Sequence, residues 1–188
     1  MSRQPRPRNA EATRTAILNA ARTCFSQQSY DQVGIREIAA LAGADAALVC
    51  RYFGSKEDLF AQLMRRPDEP LEVIAEGREG LSRRVAEMVA NKAGDETAIE
   101  DLLIMLRSAS SKTAGELVRN AMEQRFDQPI AELLGGEHAN VRARLMGSVI
   151  IGLLVSKIIR GPWGLEGDAE AGFNERVEDL IRQSIQEF

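Results

Sequence analysis

The sequence of 188 residues is poor in the residue types that carry most catalytic and metal chemistry. It contains one histidine, His138, and two cysteines, Cys24 and Cys50, whose separation fits neither a disulfide framework nor a metal-ligand motif. No nucleophile or second ligand stands at a useful spacing from His138, so we expect this side chain to cap a helix or face solvent. These shortages argue against an enzyme and indicate no cofactor.

Long apolar runs are also missing. The longest uncharged apolar segment, 145–156, has 12 residues between Arg144 and Lys157, whereas about 20 are needed to cross a bilayer. The amino terminus does not have the pattern of a signal peptide. We therefore expect a soluble, cytoplasmic protein in a reducing compartment.

Strand-like alternation of apolar and polar residues is absent, as is any repeat of 20–50 residues. Apolar residues instead recur at helical spacing from Ile17 to Phe188. The chain is long enough to bury a sizeable core. The pattern predicts an all-α protein.

Charge differs between the two ends of the chain. Residues 1–66 contain ten Arg and Lys against six Asp and Glu, whereas the remaining residues contain 14 against 22. A basic amino-terminal third on an acidic body is typical of a protein that binds nucleic acid through one end. A chance fluctuation of charge remains the alternative at this point.

The amino-terminal segment predicts a basic arm followed by four helices. Residues 1–8 are expected to form the arm, and the helices fall at about 10–28, 35–42, 45–53 and 55–66, with Asp45 and Ser55 as N-caps. The second and third helices are about two turns long and flank a four-residue turn that contains Gly43. These are the proportions of a helix-turn-helix.

The rest of the chain predicts a helical body. Helices are expected near 71–92, 97–109, 113–134, 138–160 and 169–187, separated by glycine-containing segments. Pro67 and Pro70 break the chain before the first of them. We predict a helix-turn-helix DNA-binding domain over 1–56 and a helical effector-binding and dimerisation domain over 57–188.

The helix-turn-helix separates into a scaffold and a reading face. Small residues are expected where the helices approach closely (Ala39, Ala42, Gly43), with a core of larger ones (Ile38, Leu48, Val49, Phe53). The third helix then presents Asp45, Ala46, Ala47, Cys50 and Arg51 to a major groove. Arg36 has the forked donor that suits guanine O6 and N7, and the methyl groups of Ala46 and Ala47 suit thymine.

A spaced motif identifies a family resemblance. Its residues are Ile17, Leu18, Ala20, Ala21, Phe25, Tyr30, Ile38, Ala39, Ala42, Gly43, Tyr52, Phe53, Gly54, Ser55, Lys56, Glu57 and Leu59. This segment resembles the tetracycline-repressor (TetR) family of regulators, and residues 106–109 and 142–145 are similar to one of its variable carboxy-terminal domains. The resemblance implies a ligand-responsive repressor that binds a palindromic operator as a homodimer.

The resemblance also assigns roles to single residues. It implies base contacts by Arg36, Ala46, Ala47 and Leu48, and phosphate contacts at Gly34, Cys50, Tyr52 and Lys56. Gly34 departs from the usual Ser or Thr, and Cys50 departs from the usual Tyr or His. The remaining phosphate contacts are Tyr52, Lys56, the backbone amide at the start of the fourth helix and the arm arginines. For Lys56 and Arg51, the alternative to a DNA contact is a side chain that is simply exposed to solvent. If Cys50 is exposed, a role as a redox sensor also remains open.

The effector site is expected in the acidic body, where a cavity needs apolar walls and a few polar groups. The candidates that share this character are Met88, Leu102, Leu103, Met105, Leu106, Met122, Phe126 and Trp163. Core packing is the alternative role for each of them. Arg107 would bind an anionic ligand or pair with Glu100 or Glu123.

The helix predicted over 138–160 indicates a dimer, because its apolar residues surround the helix axis and must be covered on every side. The last helix adds a second apolar stripe. Two such helices from each subunit would make a four-helix interface. The candidate interface residues are Leu145, Val149, Ile151, Gly152, Val155, Phe173, Val177, Leu180, Ile181 and Ser184.

Three classes of function therefore remain open from the sequence. A ligand-responsive repressor would protect a palindromic site and release it with a small molecule. An architectural DNA-binding protein would show little sequence preference. A helical scaffold or enzyme that uses the fold without DNA would show no salt-dependent DNA affinity.

Overall fold

A computed structural model describes residues 7–65, 72–74, 77–91 and 96–188. All regular structure in these ranges is helical, which confirms the all-α class. The α-helices are α1 Pro7–Gln27, α2 Ile35–Leu41, α3 Ala46–Phe53, α4 Lys56–Arg65, α5 Leu81–Asn91, α6 Glu96–Ser108, α7 Ala114–Met122, α8 Gln128–Leu134, α9 Ala139–Arg160 and α10 Asp168–Ser184. No helix in the described ranges is long and apolar enough to cross a membrane.

Three segments differ from the sequence prediction. The helix expected at 71–92 is a 3₁₀ turn, Glu72–Ile74, followed by α5. Gly77 and Gly80, at φ 79° and 74°, lie between them in a left-handed conformation that an α-helix does not accommodate. The helix expected at 113–134 contains a π-helical turn, Glu123–Asp127. In this turn the amide of Gln128 donates to the carbonyl of Glu123. The next residue is Pro129, which has no N–H to donate.

The amino-terminal arm is the third difference. Helix α1 begins at Pro7, so the last two residues expected in the arm are helical, while residues 1–6 lie outside the described residues. Proline fits the first position of a helix because the first N–H groups have no partner within the helix.

Backbone contacts divide the chain into two compact units. The head unit consists of Met1–Pro67 and Glu100–Ala121, and the second unit consists of Asp68–Ile99 and Met122–Phe188. The predicted functional boundary between residues 56 and 57 falls inside the head unit. The division by contacts and the proposed division by function are therefore different.

Three aromatic rings form the centre of the head unit. Phe60 lies edge-on to Phe25 and to Tyr30, with ring centroids 5.1 Å apart in each pair. Ile17 and Ala21 of α1 are fully buried in the same unit. Cys24 is also buried, as its place in the α1 stripe predicts. Each large apolar side chain buried here contributes about 1.5–3 kcal/mol.

The second unit has its own apolar core, formed by α5, α8, α9, α10 and the 3₁₀ turn. Its buried residues are Val73, Leu81, Val85, Ala86, Val89, Ile130, Ala131, Leu134, Ala143, Met146, Val177, Ile181 and Ile185. Half of α10 faces this core through Val177, Ile181 and Ser184. That orientation decides which side chains of α10 remain available to a partner.

Candidate nucleic-acid interface

The turn between α2 and α3 has the geometry of a helix-turn-helix. The Ala44 amide donates to the Ala39 carbonyl over 2.9 Å and closes the end of α2. The Asp45 carboxylate accepts the Ala47 amide over 2.7 Å, which confirms Asp45 as the N-cap of α3. The structure corrects the role expected for Gly43. A Cβ at this position would meet no atom within 4 Å, so a close approach of helices does not require glycine here. Glycine is favoured instead by the backbone φ of +62°.

Helix α3 presents one face to its own core and the other to solvent. Val49 and Phe53 are buried, while Ala47, Cys50 and Arg51 are exposed. Among the remaining candidates, Asp45 is exposed and Ala46, Leu48 and Tyr52 are half-buried. Leu48 therefore completes the small core less fully than expected and lies between the two faces.

Two arginines extend the exposed face. Arg36 is exposed on α2, and its guanidinium forms no hydrogen bond with any residue of the described chain. All its donors are available to a base edge. Arg51 lies with its guanidinium carbon 5.4 Å from the centre of the Tyr52 ring, a cation–π distance that holds its side chain along α3.

Lys56 is engaged with its own chain. Its ammonium donates to the carbonyls of Tyr30 and Val33, both over 3.1 Å, and lies 4.1 Å from the centre of the Tyr30 ring. Burial, aided by the Glu57 carboxylate, raises the pKa of the Tyr30 phenol, so the ring beside the ammonium stays neutral. Lys56 therefore fixes the segment that leads into α2, and a phosphate contact would have to share its donors.

A capping box begins α4. The Asp58 amide donates to Ser55 Oγ over 3.0 Å, and the Ser55 amide donates to Asp58 Oδ2 over 3.1 Å, which confirms Ser55 as the cap. The hydrogen bonds from Ser55 lower the pKa of Asp58. Because the box uses both amides, the phosphate donor predicted at this helix start can only be the amide of Lys56 or Glu57.

Gly34 begins α2 without a side-chain cap. Its backbone is extended, at φ −108° and ψ 149°, and a Cβ there would meet no atom within 4 Å. A serine or threonine would therefore fit without strain. The glycine removes one side-chain donor that the family resemblance places beside a phosphate.

Two contacts across long stretches of sequence attach α6 and the α6–α7 turn to α1 and the loop after it. The Arg22 guanidinium of α1 forms an ion pair with Asp101 of α6, and Ser111 Oγ donates to Asp31 Oδ1 over 3.0 Å. No local sequence pattern marks these residues, because the partners lie about 80 positions apart.

Arg142 lies in the segment 142–145 that carries part of the family resemblance, but its structural role was not predicted. Its guanidinium is fully buried and donates to the carbonyls of Ile185, over 2.9 Å, of Glu137, over 3.1 Å, and of Gly135. It thus joins the start of α9 to the loop after α8 and to the end of α10. The sequence feature that could have predicted this role is an arginine on the same helical face as the apolar residues Ala143 and Met146.

The candidate effector residues do not collect in one unit. Leu102, Leu103, Met105, Leu106 and Arg107 belong to the head unit, whereas Met88, Met122, Phe126 and Trp163 belong to the second unit. Met88 and Phe126 pack against the second unit's core, which favours the structural alternative for them. Arg107 is exposed and forms no ion pair with Glu100 or Glu123 in the described chain.

Trp163 lies at the edge of a small cavity within the second unit. Its ring centre is 4.9 Å from that of Phe173. The two rings line a space of about 120 Å³ with the end of α5 and with Lys157. The Lys157 ammonium donates to the Ala90 carbonyl over 3.2 Å and so closes that end of α5.

The candidate interface residues divide by exposure. Leu145 and Leu180 are about half exposed, at 46% and 48%, and Gly152 is exposed. Val149, Ile151, Val155 and Phe173 are half-buried, and Val149 and Phe173 already contact the core. Val177, Ile181 and Ser184 are at most 6% exposed within their own chain, which corrects their placement: they pack inward and leave the proposed interface.

The remaining sequence predictions concern isolated groups. Cys50 is exposed on α3. His138 is exposed at the start of α9, where its backbone is left-handed and its side chain makes no cap, and its ring stacks on Phe188 at 5.6 Å. No group of three or more potential metal ligands occurs in the described ranges.

Comparison with known proteins decides the family. Residues 17–63 match the model of bacterial regulatory proteins of the tetR family, and residues 79–184 match a tetracyclin repressor-like carboxy-terminal domain. The chain belongs to the tetR family of bacterial regulatory proteins. TetR-family proteins regulate transcription without catalysis, so family membership confirms that the chain is not an enzyme.

Individual relatives agree with this family. The HTH-type transcriptional repressor Rv1474c of Mycobacterium tuberculosis (strain ATCC 25618 / H37Rv) is 33% identical over 79 residues, which are 42% of each chain. A TetR-family regulator from Streptomyces coelicolor A3 is 26% identical, with a TM-score of 0.59 over the full length of both chains. NalD, the secondary repressor of the MexAB-OprM multidrug efflux pump in Pseudomonas aeruginosa, has a fold similar to that of this chain at 21% identity, with a TM-score of 0.70 over 93% of this chain and 97% of NalD.

Proposed function

We propose that this chain is a ligand-responsive transcriptional repressor that binds a palindromic operator as a homodimer and is released by a small molecule. The observation that carries the proposal is the helix-turn-helix itself. Its inner face is buried, and its outer face presents Ala47, Cys50, Arg51 and Arg36, whose guanidinium has no partner among the described residues. Family membership and the similarity to the transcriptional repressor Rv1474c support this proposal.

Base reading by Arg36 is the sharpest test of the DNA-binding surface. We would select an operator from a random duplex library and measure binding by fluorescence anisotropy. Arg36→Ala should weaken operator binding by about 1–3 kcal/mol and barely change non-specific binding. Arg83→Ala, which removes the same charge from an exposed position on α5, is the matched control and should change neither. An Arg36→Ala protein with unchanged operator preference would contradict base reading.

Salt dependence tests the phosphate contacts separately. Displacement of counterions should make duplex affinity fall steeply between about 50 and 500 mM salt. Removal of residues 1–8 should reduce the slope, because this segment contains three of the arginines. An affinity that did not change over this range would contradict an electrostatic interface.

The homodimer is supported by the apolar side chains that α9 and α10 leave exposed. Leu145 and Leu180 lie outside the second unit's core, and paired helices from two copies would cover them. A two-fold dimer would place two reading helices on half-sites about 34–36 Å apart.

A charge at this surface tests the dimer. Leu180→Glu should produce monomers in sedimentation experiments and abolish operator binding while the helical content is retained. Leu106→Glu is the matched control, because Leu106 is 49% exposed on α6, outside the helix-turn-helix and outside α9 and α10. Wild-type protein that sedimented as a monomer at micromolar concentration would contradict both the dimer and the palindromic operator.

Release by a ligand is the last part of the proposal. A ligand changes DNA affinity only if it binds one of two conformations more tightly. A thermal-shift screen should identify compounds that stabilise the protein, and each would be added to the operator complex. An effector that stabilises the protein without changing operator affinity would contradict this mechanism. NalD's role beside a multidrug efflux pump makes hydrophobic drugs the first set to screen.

A further inference from the structure

The segment between α9 and α10 contains the single tryptophan of the chain in an exposed position. Trp163 is 42% exposed, and Leu165, two residues later, is 38% exposed. Tryptophan is highly buried on average in folded proteins, and large apolar side chains exposed together are typical of a binding surface. The indole is nevertheless held in place, because its ring centre lies 4.9 Å from that of Phe173, with the two planes tilted by 40°.

The two rings line the mouth of the cavity of about 120 Å³ within the second unit. Its floor is apolar and consists of Ala86, Val89 and Val177, each at most 5% exposed and each part of the unit's core. An engineered apolar cavity of about 150 Å³ is large enough to bind a benzene molecule. The size and the walls of this cavity therefore suit one aromatic ring, with substituents at the open side.

The polar side chains of the cavity wall carry no net charge. The Lys157 ammonium donates to the Ala90 carbonyl over 3.2 Å, and the Glu170 carboxylate forms no ion pair in the described part of the chain. A charged ligand would be attracted by one of these groups and repelled by the other, so the wall favours a neutral ligand. The third polar side chain, Asn174, has both a donor and an acceptor, and neither is used within the described residues.

We propose that this cavity binds a neutral molecule with one aromatic ring and a hydroxyl group, a phenol. The ring would pack against Trp163 and Phe173 above the apolar floor, in the offset or edge-on arrangement that aromatic groups prefer. The hydroxyl would pair with the Asn174 amide. Binding rests on the cavity alone, and only a role of this ligand as the effector rests on the proposed function.

Phenol is the probe, titrated into the full-length protein, and Trp163 is the reporter. Because Trp163 is the single tryptophan, its fluorescence, excited at a wavelength that phenol does not absorb, reports on this cavity. The wild-type signal should change saturably at millimolar concentrations or below. Benzoate and benzylamine, which carry opposite charges on the same ring, should bind more weakly. Tighter binding of either one than of phenol would contradict a neutral ligand.

Two variants test whether the cavity is the place of binding. Ala90→Leu fills the end of the cavity and should abolish saturable binding, whereas Ala171→Leu, at an exposed position of α10 outside the cavity, should bind as wild type does. Circular dichroism checks that both retain their helical content. Phenol affinity in Ala90→Leu equal to that of wild type, or no saturable change in the wild type, would overturn the proposal.

Asn174→Leu tests the polar part of the site at a half-buried position. It should weaken phenol binding about fivefold, the effect of one hydrogen bond between neutral groups, and leave benzene binding unchanged. An equal effect on both ligands would contradict the hydrogen bond to the hydroxyl.

Adding saturating phenol to the operator complex separates the site from the proposed function. Release of the operator would assign this cavity as the effector site. Saturable fluorescence binding without release would confirm the site and contradict its role in regulation. A protein that bound no operator at all would contradict the proposed function, and the fluorescence titration would still decide the site.

Discussion

The head unit and the second unit differ in how completely each covers its own apolar surface. In the head unit, Ile17, Phe25 and Phe60 are fully buried, and Leu41 and Leu106 are the large apolar residues that are exposed among those the structure describes. Among the described residues of the second unit, the exposed large apolar ones are Val141, Leu145, Ile158, Ile159, Trp163, Leu165, Leu180 and Phe188. The head unit therefore has a largely closed core, whereas the second unit has more apolar surface than its own core uses.

Helices α1 and α9 show the origin of this difference. The apolar residues of α1 lie on one stripe, and its core covers that stripe. Helix α9 buries Arg142, Ala143 and Met146 but leaves Leu145 and Ile159 outside. A helix with apolar residues all around its axis needs cover on two sides. The head unit therefore buries most of its apolar residues within itself, while the second unit leaves apolar surface that is available for association.

The largest expected effect on the free energy of unfolding comes from truncating a large buried side chain in either core. Phe60→Ala in the head unit should cost about 3–5 kcal/mol, and Met146→Ala in the second unit about 2–5 kcal/mol, because each leaves a cavity. Trp163, the single tryptophan, reports on the second unit. In urea unfolding its fluorescence midpoint should shift strongly in Met146→Ala and weakly in Phe60→Ala. Equal shifts would show that the two cores unfold together.

The caps of the head unit should have a smaller effect. Ser55→Ala removes the hydroxyl that accepts the Asp58 amide and should cost about 1 kcal/mol of unfolding free energy. Ser148→Ala removes an exposed hydroxyl from the middle of α9 and should change the unfolding free energy by less than about 0.5 kcal/mol. A cost as large at Ser148 as at Ser55 would contradict the importance of the capping box.

The second unit contains a carboxylate whose effect depends on pH. Burial raises the pKa of Asp127, against the lowering effect of Arg144, so the folded state favours its protonated form. Its contribution to stability is present at pH below the ordinary pKa of aspartate and is lost as pH rises through the raised value. Asp127→Asn should therefore melt at a higher temperature than wild type at pH 7, and the gap should close toward pH 4. A gap that stayed constant over this range would contradict the raised pKa.

The smallest expected effect concerns the uncapped start of α2. Gly34→Ser should stabilise the head unit by a few tenths of a kcal/mol, since a serine N-cap exceeds glycine by about that amount. It should also strengthen duplex binding by adding a donor beside a phosphate. Gly34→Ala lacks the hydroxyl and is the matched comparison. If both variants bound duplex DNA equally, the hydroxyl at this position would have no role in the interface.

Much of the head was predictable because its determinants are local. Asp45 and Ser55 cap the helices that follow them, and the α2–turn–α3 proportions follow from glycine and apolar spacing within about 20 residues. These features depend on neighbours within one or two helical turns. The same reasoning placed α9 and α10 within a few residues of their observed bounds.

The sequence by itself determined the all-helical class, the helix-turn-helix with its caps and the exposed face of α3, since backbone hydrogen bonding and helical period fix them locally. Tertiary structure decided the rest. The Lys56 ammonium donates to two carbonyls more than 20 residues away, and the buried Arg142 guanidinium donates to three carbonyls. Val177 and Ile181 of α10 face the core of their own unit. A long side chain reaches partners that no local pattern names, and only the packed neighbours of an apolar helix decide which side is covered.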